Sequence, residues 1–372
     1  MDTKAIPWFA PQCSETEAAA VKAVIESNYI NDGQVTRALE EKIAKFLGVQ
    51  HCVAVTNGTT ALTLSLMGLD IGSGAEVIVP DLTFIATANA VRLAGAEVKL
   101  VDIEPLRFTI DPEQVRAAIG PKTKAVIAVD VNGRGANYEA LESICREHHL
   151  ALICDSAEAL GSQYAGRYLG TFGDAGCFSF SANKTISSGQ GGMIATNNTE
   201  LYYRLRELKD QGRRFGGTGG DDLHPVLGFN FKYTNLQAAV ALAQFEKLSS
   251  RLKHFQARDS WYQNALLNCP GIILPPLSNE SSEIRQWTDI LCDERDKIEA
   301  EFNKHQIGYR PFWFPLHRQK PYFLADQNFK NAISISNRGL WLPSSFELTY
   351  QDVLKVTTLI REVMLLPNVL NV

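Results

Sequence analysis

The chain has 372 residues, of which 45% are apolar and 21% are charged, a composition typical of a folded globular protein with room for two domains. The net charge of −5, without a basic block, gives no indication of nucleic acid or an anionic membrane surface as a partner. We expect no signal peptide and no membrane span. The seven cysteines are scattered and lack the spacing of metal ligands, so we predict reduced thiols, a cytoplasmic protein and no metal site.

The first half of the chain alternates between strand-like and helix-like segments. Ser14 and Glu17 form a capping box that predicts a helix to about Ser27. The predicted strands that follow are 52–55, 76–80, 97–101, 124–130, 151–155, 176–180 and 191–196. The helical runs between them are 59–69, 84–94, 112–119 and 137–148. This alternation predicts an α/β fold with a largely parallel central sheet that helices cover on both faces.

The second half of the chain has a different pattern. A helical run begins near Thr199, and a glycine-rich segment at 211–228 is long for an internal loop, which indicates a mobile element or a contact with another chain. A long helix is predicted from Asn235 to about residue 255, before shorter mixed segments. We therefore predict a large domain over residues 1–245 and a smaller C-terminal α/β domain over residues 246–372.

The segment 56–62, "TNGTTAL", follows a predicted strand and opens a predicted helix. Ligands of open α/β sheets bind at the carboxyl ends of strands, where helix N-termini attract anions. The amides of Gly58, Thr59 and Thr60, with a threonine hydroxyl, predict a cup for a phosphate group. The alternative is an ordinary N-cap turn.

Asp155 ends another predicted strand, and Glu158 follows it closely. A carboxylate at this position can pair with a cationic ring nitrogen of a ligand. The alternatives are an N-cap role for Asp155 and a first-turn role for Glu158, where the helix dipole stabilises an acid.

The segment 178–192, "FSFSANKTISSGQGG", places Lys184 among strand-like and glycine-rich residues. An amine in a confined pocket can condense with an aldehyde, and the Ser179 hydroxyl can bind a phosphate. The alternative is a surface lysine on a turn. Together with the cup and Asp155, these residues favour pyridoxal 5'-phosphate as cofactor. Phe84 is a candidate to stack on the cofactor ring, with core packing as its alternative.

The same segments resemble the pyridoxal-phosphate-dependent sugar aminotransferases of the DegT/StrS type, which have the fold-type I aminotransferase architecture. The resemblance extends from about Ile30 to the end of the chain. It rests on "NGTTAL", "VIVPDLTFIATANAV", "GAEVKLVDIE", "DSAEALGSQYAGRYLGTFGDAGCFSFSANKTISSGQGGMIATN" and "GFNFKYTNLQAAVALAQFE".

The resemblance implies roles for the candidate residues. Lys184 would be the lysine that bonds to the cofactor aldehyde and moves a proton, and Asp155 the partner of the ring nitrogen. Glu158 would lie beside the ring hydroxyl, and Phe84 would stack on the ring. The implied phosphate ligands are Thr59, Ser179 and, from the neighbouring subunit, Asn230. The implied partners are therefore a second copy of the chain, which shares the active sites, a nucleotide-sugar substrate and an amino donor, usually glutamate.

Two positions depart from the family pattern. Gln190 replaces the usual acid of "GEGG", and Lys232 replaces the arginine that usually follows an asparagine and an aromatic residue. Both departures bear on the substrate rather than on the cofactor.

Two stretches, 224–239 and 308–322, look most like the GDP-perosamine synthase subgroup, which aminates the 4-keto group of GDP-4-keto-6-deoxymannose for surface polysaccharides such as the O-antigen of lipopolysaccharide. This likeness places Tyr309 and His317 near the substrate, with surface or domain-packing roles as the alternative. Other family members aminate UDP- or dTDP-linked keto sugars, sugar acids or small ketones.

Three alternatives of other classes stand beside this hypothesis. Some relatives are 3-dehydratases with histidine in place of the cofactor lysine, and the presence of Lys184 argues against that reaction. A non-catalytic, cofactor-binding regulator is disfavoured by the intact pair of Lys184 and Asp155. A dinucleotide-binding enzyme is disfavoured because no GxGxxG motif follows the first strand.

Overall fold

A computed structural model describes residues 5–214, 222–277 and 282–365 of the chain. In chain order, its helices are α1 (Glu15–Glu26), α2 (Gln34–Leu47), α3 (Gly58–Gly68), α4 (Ala86–Leu93), α5 (Pro112–Ala118), α6 (Tyr138–Glu147), α7 (Thr199–Lys209), α8 (Asn235–Glu246), α9 (Leu248–Leu266), α10 (Arg295–Lys304), α11 (Lys330–Arg338) and α12 (Tyr350–Leu365). Its strands are β1 (His51–Val55), β2 (Glu76–Pro80), β3 (Glu97–Val101), β4 (Thr123–Val129), β5 (Ala151–Asp155), β6 (Gln163–Tyr164), β7 (Arg167–Tyr168), β8 (Ala175–Ser179), β9 (Gly192–Thr196), β10 (Ile272–Ile273), β11 (Asp289–Cys292), β12 (Arg310–Pro311) and β13 (Gly339–Trp341).

In the described part of the chain, seven strands form a central sheet in the order β1-β9-β8-β5-β4-β2-β3. Strands β3, β2, β4, β5 and β8 run parallel to one another, whereas β9 is antiparallel to both of its neighbours, β8 and β1. The predicted α/β class with a largely parallel sheet is therefore confirmed. Each strand predicted above coincides with a strand of this sheet to within one residue at either end.

The central strands are apolar throughout because both faces of the sheet are covered. In β2, Val77 and Val79 pack into a core with α3 and α7, while Ile78 between them packs on the opposite face with α5 and α6. Successive side chains of a strand point to opposite faces, so a strand buried on both sides needs apolar residues at every position. This layering leaves the carboxyl edge of the sheet as the place where polar side chains can collect.

After α9, four described strands form an antiparallel sheet in the order β10-β11-β13-β12. This sheet shares a core with α9, α10 and α12. An aromatic cluster that includes Trp287, Trp313 and Trp341 packs against Leu82 and Val129 at the carboxyl edge of the central sheet. The second sheet is thereby held over that edge. The predicted domain boundary at residues 245 and 246 falls in the last turn of α8 and remains a prediction.

The long helix predicted from Asn235 is two helices in the structure. Lys247 ends α8, and its N–H bonds to the carbonyl of Gln244, three residues back, which tightens the last turn. The Lys247 ammonium group reaches Glu17 of the α1 capping box at 2.5 Å. The helical periodicity alone did not reveal this break.

Candidate active site

The carboxyl ends of β1, β4, β5 and β8 meet at a cavity of about 800 Å³. A cavity of this size suits a small-molecule ligand or cofactor. Its walls contain eight of the predicted site residues: Gly58, Thr59, Thr60, Phe84, Asp155, Glu158, Ser179 and Lys184.

The N-terminus of α3 forms one end of the cavity. Asn57 caps this helix by accepting a hydrogen bond from the Thr60 N–H at 2.8 Å, so the Thr60 amide is already occupied. The N–H groups of Gly58 and Thr59 come first in the helix and therefore have no partner within it. A Cβ atom on Gly58 would lie 3.0 Å from the Cβ of Ser179, so only glycine lets these two segments approach freely. The result is an anion-binding cup lined with hydroxyl groups.

Asp155 lies buried on the cavity wall at the end of β5. Its Oδ2 atom accepts a hydrogen bond from the Thr87 hydroxyl at 2.8 Å, and its Oδ1 atom accepts one from the Ala157 N–H at 3.3 Å. Burial raises the pKa of this carboxyl, against the effect of both hydrogen bonds, and the charge of Glu158 raises it further. In the described chain no cationic side chain forms an ion pair with Asp155, since Lys184 pairs with Glu158 instead. Asp155 is therefore suited to receive a cationic N–H group from a ligand.

Asp130 supports Asp155 from behind the cavity. The Asp130 N–H donates to the Asp155 carbonyl at 3.0 Å, and the Asp130 carboxylate accepts hydrogen bonds from the hydroxyls of Tyr138, at 2.6 Å, and Ser156. Complete burial raises the pKa of Asp130 from 3.8 to about 7. These bonds hold the turn that follows β5 in place.

The titration of Asp130 predicts a pH dependence of folding. The folded chain keeps this proton up to about pH 7, whereas the unfolded chain releases it near pH 4. The protonated carboxyl therefore stabilises the fold below about pH 4, and this contribution is lost as the pH rises to about 7. At about 1.4 kcal/mol per pKa unit, we expect the wild-type free energy of unfolding to fall by about 2–4 kcal/mol more than that of Asp130→Asn between about pH 4.5 and 7.5. Urea unfolding at both pH values measures this difference. Asp296→Asn, on the surface of α10, should behave as wild type, and equal pH dependence in Asp130→Asn and wild type would contradict the assignment.

Lys184 projects into the cavity. Its Nζ atom lies 3.4 Å from Oε1 of Glu158 and 5.1 Å from the ring centroid of Trp287. The side chain is only 11% exposed. The alternative of a surface lysine on a turn is therefore excluded.

Glu158 is oriented by a second contact. Its Oε2 atom accepts a hydrogen bond from the backbone N–H of Asn132 at 3.1 Å, while Oε1 faces Lys184. In the described structure the residues after β5 form turns and no helix starts there, so neither an N-cap role for Asp155 nor a first-turn role for Glu158 applies. Both carboxylates are positioned for the cavity instead.

Phe84 also lines the cavity and is 51% exposed. A phenyl ring that is buried in a core would not present half of its surface. Core packing is therefore excluded, and the ring has a free face on which a planar ligand could stack.

Asn230 does not line the cavity within this chain. It is exposed and forms a backbone bridge with Asp210, whereas its neighbours Phe229 and Phe231 both line the cavity. An extended segment points alternate side chains in opposite directions, so Asn230 faces away from the cavity of its own chain. This placement leaves Asn230 available to a neighbouring subunit.

Tyr309 and His317 also lie outside the cavity lining. Tyr309 accepts a hydrogen bond from the Asn303 side chain at 3.1 Å and packs beside the core of the second sheet. His317 is fully buried between the carboxylates of Asp81, at 2.6 Å, and Asp326, at 2.9 Å. In this chain both residues fit the packing alternative, and the structure gives no support to the predicted position near the substrate.

The two departures from the family pattern lie in different places. Gln190 lines the cavity, so it can contact a ligand there. Lys232 points away from the cavity and pairs with Asp210 at 2.6 Å. Of the two departures, Gln190 is therefore the one placed to contact a ligand in this cavity.

The cavity lining also includes residues that sequence reasoning missed, among them Trp287, Arg310 and Trp313. These three come from the second sheet and the loops around it. The stretch 308–322 predicts a site residue in this region, but at Tyr309 rather than at Arg310. Adjacent residues of a strand point to opposite faces, and the structure shows that Arg310 is the one that faces the cavity.

Two further findings concern the described residues only. Within residues 5–214, 222–277 and 282–365, no cluster of three histidine, cysteine, aspartate or glutamate side chains could bind a metal ion. None of the helices in these ranges combines the length and the apolar character that a membrane span requires.

Comparison with known proteins finds a family and sequence relatives that agree with one another. The profile of the DegT/DnrJ/EryC1/StrS aminotransferase family matches residues 11–361. The GDP-perosamine synthase of Caulobacter vibrioides is 34% identical to this chain, over 98% of the chain and 99% of its own length. The GDP-perosamine synthase of Vibrio cholerae is 35% identical, over 91% of this chain and 94% of its own length.

The solved structures agree with these sequence relatives. S. venezuelae DesV, in complex with a ketimine intermediate, superposes with a TM-score of 0.91 at 29% identity, over 97% of this chain and 98% of DesV. The predicted aminotransferase fold and the predicted resemblance are therefore confirmed. The chain belongs to the DegT/DnrJ/EryC1/StrS aminotransferase family and is an enzyme.

Proposed function

We propose that this enzyme uses pyridoxal 5'-phosphate to transfer an amino group from an amino acid, L-glutamate, to the keto group of a nucleotide-linked keto-deoxy sugar. The observation that carries the proposal is that Lys184, Asp155 and the N-terminus of α3 lie on the walls of one cavity of about 800 Å³. An amine, a carboxylate and an anion cup match the aldehyde, the ring nitrogen and the phosphate of this cofactor.

The state of the cavity residues supports the fit. The carboxyl of Asp155 has a raised pKa because it is buried without a cation, and a protonated ring nitrogen would relieve that cost. The cup at Gly58 and Thr59 has first-turn N–H groups without partners in the helix, which a phosphate would satisfy. Phe84 lines the same cavity and presents an exposed ring face. The cup and the buried Asp155 would therefore each gain an interaction from the bound cofactor that the chain alone does not supply.

The chain's own residues would divide the chemistry as follows. Bound pyridoxal phosphate would supply the electron sink for exchange of an amino group and a proton. Lys184 would hold the cofactor at its aldehyde carbon and, once the amino donor has displaced it, its Nζ atom would accept the proton that the donor's α-carbon releases. Asp155 would keep the ring nitrogen protonated through a charge-assisted hydrogen bond.

Other residues would prepare the cavity for this step. Glu158, held by the Asn132 N–H, faces the Lys184 amine and would orient it. The indole rings of Trp287 and Trp313 line the wall formed by the second sheet and would exclude water from the reacting atoms.

The substrate best supported is GDP-4-keto-6-deoxymannose, with GDP-perosamine as product for surface polysaccharide such as O-antigen. The support is the identity of 34–35% to two GDP-perosamine synthases over most of the chain, together with the stretches 224–239 and 308–322. The alternative within the family is another nucleotide-linked keto sugar.

A panel experiment tests this proposal. Purified enzyme and L-glutamate would be incubated with GDP-, UDP- and dTDP-linked keto sugars and with small ketones, and amine formation read by mass spectrometry. We expect the GDP-linked 4-keto sugar to react fastest. If only ketones without a nucleotide react, the nucleotide-sugar proposal is contradicted. If no compound of the panel is aminated, the proposed aminotransferase function is contradicted.

We further propose a homodimer with shared active sites, in the cytoplasm. All seven cysteines are free thiols, which accords with a reducing compartment. Asn230 is exposed beside two cavity phenylalanines and faces away from its own cavity, so it is placed to reach the phosphate bound in a partner.

Subunit mixing tests the shared site. Asn230→Asp would place a negative charge against the partner's phosphate, and we expect it to lower activity at least about tenfold. Mixed dimers of Asn230→Asp with Lys184→Ala would contain one intact site of the two. We expect mixing the two impaired proteins to raise the activity to about a quarter of that of wild type, because about half of the dimers are mixed and each mixed dimer has one intact site of two. Failure to regain activity, despite exchange of subunits shown by native mass spectrometry, would contradict the shared site.

A further inference from the structure

One residue behind the cavity bonds to both side chains that the Lys184 amine contacts. These are Glu158, at 3.4 Å from the Nζ atom, and Trp287, whose ring centroid lies 5.1 Å from it. They come from different parts of the fold, since Glu158 follows β5 of the central sheet and Trp287 precedes β11 of the second sheet. Asn132, which follows β4, forms hydrogen bonds with both residues. It is fully buried and does not itself line the cavity.

The side chain of Asn132 bonds to the main chain of Trp287 in both directions. Its Oδ1 atom accepts a hydrogen bond from the Trp287 N–H at 2.8 Å, and its Nδ2 atom donates one to the Trp287 carbonyl at 2.5 Å. An amide side chain can donate and accept at once, so it replaces the main-chain neighbour that a strand residue would have. This pair of bonds fixes the main chain from which the indole ring projects.

The main chain of Asn132 serves the other contact. Its N–H donates to the Oε2 atom of Glu158 at 3.1 Å, while Oε1 of the same carboxylate faces Lys184. Asn132 has a positive φ of 53°, a left-handed conformation that asparagine adopts more readily than most residues other than glycine. The residue type at this position therefore suits both the turn and the side-chain bonds.

The segment that carries Trp287 also holds the main chain on either side of Lys184. The buried Gln286 side chain accepts hydrogen bonds from the Thr185 N–H at 3.2 Å and from the Thr185 hydroxyl at 3.0 Å. Its Nε2 atom donates to the Asn183 carbonyl at 3.4 Å. Two adjacent residues of one segment therefore hold Lys184, one through its main-chain neighbours and one through its amine. A shift of this segment would move the amine within the cavity.

We propose that Asn132 is a positioning residue that sets the place of the Lys184 amine through Trp287 and Glu158. This proposal rests on the proposed transaminase function, in which the amine holds the cofactor and then accepts a proton. Proton transfer needs the two heavy atoms at hydrogen-bond distance, and a misplacement of about 1 Å can cost about 100-fold in rate. Because Asn132 does not line the cavity, its loss should affect the rate rather than the affinity for ligands.

Asn132→Gly is the most direct variant. Glycine tolerates the positive φ and keeps the N–H that bonds to Glu158, while it removes both side-chain bonds to Trp287. Asn268→Gly, at an exposed asparagine with a φ of 56°, is the matched control and should equal wild type. Asn132→Asp keeps the size of the side chain but, when ionised, cannot donate to the Trp287 carbonyl. It replaces the glycine variant if circular dichroism shows that variant to be unfolded, and loss of the fold in both would overturn the proposal.

The apoenzyme gives a readout that does not depend on transamination. Trace acetic anhydride acetylates lysine amines, and mass spectrometry compares the peptide of Lys184 with that of Lys209, which is buried in a separate cluster of ion pairs. In the Asn132 variant we expect Lys184 to react at least about fivefold faster and Lys209 to stay within about twofold of wild type. Equal acceleration of both lysines would indicate general loosening of the fold. Either that result or an unchanged Lys184 rate would overturn the proposal.

The half-reaction of the holoenzyme with L-glutamate separates rate from affinity. In the Asn132 variant we expect the limiting rate of the change in cofactor absorbance to fall about 10–100-fold, while the half-saturating glutamate concentration stays within about twofold of wild type. The affinity of the apoenzyme for pyridoxine 5'-phosphate, which has no aldehyde, should also stay within about twofold. A normal limiting rate, or a loss confined to affinity, would overturn the role of Asn132. A wild-type spectrum that responds to no amino acid would instead refute the transaminase proposal, and the acetylation of Lys184 would still test Asn132.

Discussion

Replacement of Lys184 by alanine should abolish both the visible absorbance of the bound cofactor and transamination. The Lys184 side chain is 11% exposed, projects into the cavity and pairs with Glu158. An amine from the solvent is therefore a poor substitute for the lysine amine at this position. Loss of the covalent link and of the base that moves the proton should lower the turnover rate by at least about 10⁴-fold. Spectra of the purified variant and mass spectrometry of the reaction products measure the two effects.

The control for this variant is Lys124→Ala, which removes an exposed lysine from β4 and should leave spectrum and rate unchanged. Circular dichroism should show that Lys184→Ala is folded, since the substitution removes one ion pair and one cation–π contact with Trp287 and leaves the apolar core residues of the sheet unchanged. A Lys184→Ala enzyme with full turnover would exclude Lys184 from the chemistry.

Replacement of Asp155 by asparagine should have the second-largest effect on the rate. An amide keeps the size of the side chain, and it can still accept the hydrogen bond from Thr87, but it cannot offer a negative charge to a protonated ring nitrogen. Without that charge the ring accepts electrons less readily, and we expect the turnover rate to fall by about 10²–10³-fold. The half-reaction with L-glutamate, followed by absorbance, isolates this step.

The folded state should tolerate Asp155→Asn well, because a buried carboxyl whose pKa is raised by burial costs free energy when it ionises. We expect its melting temperature to equal or exceed that of wild type in the absence of cofactor. Asp293→Asn, at a surface ion pair with Arg338, serves as the matched control for rate. A normal half-reaction in Asp155→Asn would mean that the ring nitrogen finds its partner elsewhere.

The part of the site on the central sheet was predictable from sequence. Asp155 and Ser179 end apolar strands, and Gly58 opens the helix that follows a third strand. Ligands bind at the carboxyl edge of such a sheet, so these residues are predicted to lie close together, and in the structure all three line one cavity. Lys184 is predictable because it is a lone lysine in a segment of strand-like and turn residues. The alternatives at each position could be excluded only by the structure, which shows burial and the absence of a helix after β5 in the described residues.

The part contributed by the second sheet was not predictable in the same way. Its strands β10, β12 and β13 have two or three residues each, too few for a periodic pattern to show which face a residue occupies. A shift of one position exchanges the two faces, so the sequence pattern does not distinguish Tyr309 from Arg310, which lines the cavity. Trp287 and Trp313 are likewise ordinary core residues in the sequence, and only the packing of the second sheet over the first places them at the site.

His317 illustrates a different limit. The sequence leaves two roles open for His317, near the substrate or in domain packing, and in this chain its ring bonds to Asp81 and Asp326 and stacks on Phe329 at 4.3 Å. In sequence, a histidine that binds a ligand looks the same as a histidine that joins two segments of the chain, because both can have polar neighbours. Only the partners of its two ring nitrogens distinguish the roles.

Reduction of the cofactor-loaded enzyme with borohydride, followed by digestion and mass spectrometry of the peptides, tests the central claim most directly. Reduction makes the bond between the cofactor and its lysine permanent, so the modified peptide identifies the residue. We predict a single pyridoxyl group on the peptide that contains Lys184. A pyridoxyl group on another lysine, or none on an enzyme that transaminates, would contradict the account.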